Sequence, residues 1–147
     1  MQNRGFTLVE SLLVMFVLSF FMLVPILSVK SVTETMEVTH FFEQLEKNLL
    51  VCQQTAIISN RTADISQNDA QPRSLNFRLA PGEWLPPLSV PESLTIANLS
   101  GKITFAGGTG NADATRKILF TWPQKKQQIT YKFLFGKGRF EQEVTAL

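Results

Sequence analysis

Arg4-Gly5-Phe6-Thr7-Leu8-Val9-Glu10, running on through residues 11–29 without another charge, is the stretch that decides how this chain folds. It sets one carboxylate at the head of a membrane-length apolar segment. Near the centre of a spanning helix an acidic residue costs roughly 2.5 to 3.5 kcal/mol, and less near its end, so Glu10 calls for a partner or a function. As a helix, residues 12–29 rise about 27 Å, close to the hydrocarbon thickness of a bilayer. Arg4 and the initial amine favour a cytoplasmic amino end, with the bulk of the chain outside.

An ordinary secretory signal would close its apolar core with small residues of the Ala-x-Ala kind. Val29-Lys30-Ser31-Val32-Thr33 is a poor version of that ending. A plain single-pass anchor has the right length but leaves Glu10 without a purpose. Gly5-Phe6-Thr7-Leu8-Val9-Glu10 and its apolar continuation closely resemble the class III signal of type IV pilins and pseudopilins. The resemblance implies that a prepilin peptidase cuts between Gly5 and Phe6 and methylates the new amino terminus, making Glu10 the fifth residue of the mature chain. It further implies assembly with other pseudopilins, the Phe6 amine of one subunit meeting Glu10 of its neighbour. Such a pair at about 4 Å, with an effective dielectric near 20, attracts by about 4 kcal/mol before desolvation is counted.

The chain has 147 residues and a formal charge of +2. Less the apolar segment, that leaves room for one modest domain. The charge is too mild to identify a nucleic-acid partner, but it is uneven. Residues 30–72 hold three bases against six acids, whereas residues 113–147 hold seven bases against three acids. Anions would be drawn to the far end. The single cysteine, Cys52, excludes an intramolecular disulfide framework. Its place on an apolar helix face makes it a small buried hydrophobe, with an intermolecular bridge as the alternative.

Beyond Val29, the residues Val32, Met36, Phe42, Leu45, Leu49, Cys52 and Ala56 keep roughly to one helical face. The helix therefore continues past the membrane, with Glu34, Glu37, Glu43, Glu46 and Lys47 on its solvated side and Glu43 to Lys47 as an i,i+4 pair. Pro25 is expected to kink or locally unwind it. The helix should end near Asn60, and residues 60–73 read as an irregular connection. Alternation then marks short strands at Leu75, Phe77 and Leu79, at Leu94 and Ile96, at Ile103 and Phe105, and over residues 118–122, 129–135 and 140–144. Pro81-Gly82 and Pro86-Pro87 are loops, residues 106–114 a flexible turn, and Gly136-Lys137-Gly138 a hairpin link. The expected fold is α+β and pilin-like: a long amino-terminal helix packed on a small antiparallel sheet of about six strands. The expected segments are a leader at 1–5, a transmembrane and filament-core helix at 6–29, an amphipathic helix at 30–60, and an extracellular β-rich domain at 61–147.

No catalytic constellation is present, so the chain reads as a non-enzyme without cofactor. His40, the only histidine, belongs on the helix, and one histidine with one cysteine does not make a usual zinc site. Ala106-Gly107-Gly108-Thr109-Gly110-Asn111 lacks the Gly-Lys-Ser/Thr ending of a phosphate loop. Lys125, Lys126, Lys132, Lys137 and Arg139, with Arg116 and Lys117, are candidate DNA contacts, with Trp122, Tyr131 and Phe140 interleaved for stacking. The competing role is a solvated strand face over core aromatics.

The helix segment 41–50 with 53–57, and the ending Gly136-Lys137-Gly138-Arg139-Phe140, resemble the ComGD-type minor pseudopilins of Gram-positive competence systems. That resemblance implies a subunit of a DNA-uptake pilus, held in the cell membrane by one span with its domain outside, and at the cell surface once assembled. A minor pseudopilin of type II protein secretion is the alternative.

Overall fold

The computed structural model describes residues 7–68, 70–99 and 101–147, apart from the side chains of residues 23–30 and Asn98. The chain divides into two compact units, Met1–Met36 and Glu37–Leu147. Both draw on one 52-residue helix, α1 (Leu8–Ser59). Helical backbone continues through Pro25, so the local unwinding expected there does not occur.

In the first unit the described side chains from Leu8 to Met22 are exposed all round, among them Leu12, Phe16 and Phe20. A helix that is apolar on every side belongs in lipid or in a protein core rather than in water. Among the described residues no helix is long and apolar enough to cross a membrane, and residues 23–29 of the expected span have side chains outside the description.

The second unit carries nine strands among its described residues: β1 (Ala63–Gln67), β2 (Ser74–Ala80), β3 (Glu83–Trp84), β4 (Leu88–Ser89), β5 (Thr95–Leu99), β6 (Ile103–Phe105), β7 (Arg116–Trp122), β8 (Gln127–Phe133) and β9 (Phe140–Ala146). They form two antiparallel sheets instead of the single sheet expected. One has the order β3-β2-β1-β6 with β4 also on β2, and the other the order β5-β7-β8-β9. The strands expected around Leu75, Ile103, Ile118, Ile129 and Phe140 are all present. β1 was not expected, because the polar run around Asp64 hides it. Ala63 and Ile65 are fully buried, and Asp64 is buried too, at 3 % exposure.

The helix stripe that meets the sheets is Val38, Phe41, Leu45, Leu49, Cys52 and Ala56. Its steps of three and four are those of one α-helical face. Val32 and Met36 were expected on this stripe and are exposed, lying ahead of the second unit, while Phe42 is only partly buried. Phe41 and Phe42 each meet Phe120 edge to face, with ring centroids 5.4 and 5.5 Å apart. Glu46 is no mere solvent-facing charge, since it accepts a hydrogen bond from the Tyr131 hydroxyl at 2.9 Å, and Gln142 donates to that hydroxyl at 3.2 Å. Burial first, then the hydrogen bond to Glu46 and its charge, push the Tyr131 phenol well above its ordinary range.

Cys52 is fully buried. Burial first, then the Asp64 charge, pushes its thiol up to about 12 from 9.0. The packed-hydrophobe role therefore holds, and an intermolecular bridge would require the core to open. Because the folded thiol keeps its proton where the unfolded one loses it, stability should fall as the pH rises from about 9 toward 12. Cys52→Ala should make that limb of a urea-unfolding profile shallower, leaving the loss above about pH 10 that the raised Tyr131 phenol contributes, and at pH 8 an aromatic disulfide reagent should label Cys52 only after denaturant is added.

Candidate functional site

The amino-terminal site is built on the first turn of α1. Gly5 and Phe6 lie outside the described residues. Thr7 precedes the helix, and its Oγ1 accepts a hydrogen bond from the Glu10 amide at 3.3 Å. Thr-x-x-Glu is the capping-box spacing, a signal in the sequence that expectations about cleavage passed over. It satisfies one of the amides that a helix start leaves without a carbonyl. Glu10 is the acidic residue of the first turn, the end at which the helix dipole favours negative charge. Its side chain is exposed amid exposed Leu8, Val9, Leu12 and Leu13, a carboxylate held on an apolar shaft.

The five candidate DNA contacts do not come together. Phe41 packs at Phe120, Glu46 reaches Tyr131, and Gln53 donates to the Gly138 carbonyl, so the helix and β8 climb side by side. Lys125 and Lys126 follow β7 at the end where the helix enters this unit, and Lys137 and Arg139 follow β8 at the opposite end. Seven residues of β8 separate the two groups, a distance of about 23 Å. Lys132 is bound to Glu143, and Lys137 stands 3.9 Å from Glu141. The hydrogen bond with Glu143 holds the Lys132 ammonium above its ordinary range and the Glu143 carboxyl below its own. Lys125 sits over the Trp122 ring, 4.2 Å from its centroid. Tyr131 is fully buried, Trp122 is 7 % exposed, and Phe140 packs against the core. The three aromatics expected to stack with bases are therefore core residues.

The glycine-rich segment is docked rather than flexible. Asn60 takes a left-handed conformation, φ 53°, and ends the helix. The Gly108 amide donates to the Ala56 carbonyl at 3.0 Å, capping the last turn. Gly107 lies so close that an added Cβ would stand 2.7 Å from the Asn60 carbonyl carbon and oxygen. Since those are backbone atoms, Gly107→Ala should cost about 1 to 3 kcal/mol, read as a lower urea midpoint, whereas exposed Thr109→Ala should move it by less than about 0.5 kcal/mol.

His40 is exposed, its Nδ1 4.0 Å from Glu43, and among the described residues the expected ion pair of Glu43 with Lys47 does not form. Among the described residues no three His, Cys, Asp or Glu side chains gather as a metal site. A feature that sequence reading missed is a buried charge cluster, in which Asp64 on β1 accepts from Arg78 Nε at 2.5 Å and stands 2.9 Å from Lys102 Nζ.

Residues 1–24 match the prokaryotic N-terminal methylation motif. No curated protein matches the sequence. Among solved structures, the type IV minor pilin FimU of Pseudomonas aeruginosa strain PAO1 is similar, with a TM-score of 0.58 over 76 % of this chain and 91 % of that one, at 18 % identity. At that identity the likeness is one of fold. The chain thus begins with a prokaryotic N-terminal methylation motif and has the α+β fold of a type IV pilin.

Proposed function

We propose that this chain is a minor pseudopilin of a competence pilus, processed between Gly5 and Phe6 by a prepilin peptidase and assembled with other pseudopilins through its amino-terminal helix. The observation that carries the reading is a methylation motif leading into a helix that is apolar and exposed on every described side, with Glu10 in its first turn. Such a surface needs cover. Lipid supplies it while the precursor waits in the cell membrane with its domain outside, and neighbouring subunits supply it in the filament at the cell surface. The role is structural, and nothing in it calls for a cofactor.

The competence assignment rests on the ComGD-like helix and carboxyl-terminal segments, and type II protein secretion is the outcome to test against it. A deletion strain, complemented or not, is assayed for uptake of labelled DNA and, in parallel, for protein export. Lost uptake with normal export is the expected result. Intact uptake with failed export would move the chain to secretion.

Of the candidate DNA contacts, Lys117, Lys125, Lys126 and Arg139 have no carboxylate ion-pair partner among the described residues, and of these Lys125 and Lys126 are adjacent. Lys125→Ala/Lys126→Ala should flatten the salt dependence of DNA binding by the full chain, lowering the slope by about 1.8 if each lysine meets one phosphate. Unchanged binding would take the contact away from these two lysines, and salt-insensitive binding would remove phosphate pairing as its basis.

A further inference from the structure

We propose that β9 is a docking edge for an extended strand of a different pilus subunit, one that sets Lys or Arg against Glu141 and Glu143 and an apolar side chain against Val144. The inference rests on the subunit reading above and adds the kind of neighbour to it.

Sheet edges are templates for pairing, and proteins blunt them with short strands, prolines, bulges or cover. Three edges of this domain are treated in that way. β3 and β4 have two residues each, Pro86 and Pro87 stand between them, and the register shifts where β3 joins β2. β6 has three residues, and Phe105 already pairs with Ala112. β5 carries a register shift between Ile96 and Asn98. β9 has none of these devices. Its seven residues pair with β8 in unbroken register from Phe133↔Phe140 to Gln127↔Ala146, without proline or glycine, and all beyond Phe140 are exposed.

Charge is the remaining deterrent, and it is selective: Glu141 and Glu143 meet Lys137 and Lys132 on one side but stay 60 % and 51 % exposed, open to a further cation. On the other face of β9, Phe140 packs on Tyr131 and Gln142 reaches its hydroxyl, but Val144 is left 54 % exposed. Leu50 lies between Glu46 and Gln53 on the helix flank that reaches β8 and the β8–β9 loop, and is 48 % exposed. An open edge therefore runs beside uncovered apolar side chains.

The chemistry of the occupant follows from the spacing. An added strand would lie about 5 Å from β9 and about 10 Å from β8, so the two carboxylates are its nearest charges and Lys132 is a strand further away. A second copy of β9 would bring the same carboxylates to the same face, and like charges opposite each other destabilise a sheet. A basic strand suits the edge and an identical one does not.

The test titrates the full chain in detergent with fluorescent peptides: one alternating Val with Lys, one alternating Val with Glu, and the Lys peptide N-methylated throughout. The Lys peptide should bind, the Glu peptide should bind at least about tenfold more weakly, and N-methylation, which keeps charge but removes amide donors, should abolish binding. Glu141→Lys/Glu143→Lys, checked for an unchanged circular-dichroism spectrum, should reverse the preference. Equal binding of the peptides, undiminished binding after N-methylation, or no binding would overturn the proposal. A dimer of the chain that these two substitutions disrupt would assign the edge to a second copy and overturn it too. The readout involves no filament, so its failure leaves the Glu10 assembly reading intact, and failure of that reading leaves the edge testable.

Discussion

Glu10→Val should leave the chain in the membrane, cleaved and stable, but absent from sheared filaments. On the proposed reading, Glu10 receives the Phe6 amine of the neighbouring subunit. The attraction amounts to about 4 kcal/mol at an effective dielectric near 20 before desolvation is counted, which sets an upper bound of about a thousandfold in association. Valine removes it and leaves the incoming amine stranded among apolar side chains such as Leu12 and Leu13, which makes the loss larger than that of a surface ion pair. Glu10 is also the first-turn acid whose amide Thr7 caps, and this local role allows a control. Thr7→Ala removes the cap and should cost about 1 kcal/mol of helix stability, but it leaves the carboxylate in place and should largely preserve assembly. If Glu10→Val enters filaments as well as the wild type does, Glu10 has no role in assembly.

The second large effect belongs to Asp64. Its carboxylate is buried, whereas the Arg78 and Lys102 side chains that hold it are 28 % and 45 % exposed. Removing both cations by Arg78→Met/Lys102→Met leaves a buried charge without a partner, at a cost of about 3 to 5 kcal/mol. Removing the acid by Asp64→Leu should cost less, because both cations can turn to water. The triple replacement, which removes every charge and keeps apolar volume, should recover most of the loss, since buried ion pairs are often no more stabilising than packed hydrophobic residues. Trp122, nearly buried in the same domain, gives the fluorescence readout during urea unfolding. If the double and triple variants unfold at the same midpoint, the cluster does not act through the buried carboxylate.

Much of the fold was legible in the sequence. The end of α1 at Asn60 and the strands β2, β7, β8 and β9 follow from helical spacing and strict alternation, the periods set by side-chain direction. β1 escaped because its recognition depends on Arg78 and Lys102, far along the chain, which make a buried aspartate tolerable. The division into two sheets escaped because alternation marks a strand and not its neighbours. The helix stripe was misphased at Val32 and Met36 because periodicity continues past the point where the domain stops covering it. The spread of the candidate DNA contacts escaped for a similar reason. Lys125 and Lys126 fall at one end of β8 and Lys137 and Arg139 at the other, and Trp122 and Tyr131 lie in the core with Phe140 packed against it. At the amino terminus the Thr7 cap was there to be read in Thr-x-x-Glu.

The central claim is that the chain is cut and methylated to become a pilus subunit, and the mass of its amino-terminal peptide tests this most directly. Protein recovered from cells with and without their prepilin peptidase would be digested and analysed by mass spectrometry. The expected result is an amino terminus at Phe6 carrying one methyl group in the first case, and the unprocessed sequence through Arg4-Gly5 in the second. An amino terminus that still precedes Gly5 when the peptidase is present, or an unmethylated cut elsewhere, would contradict the account.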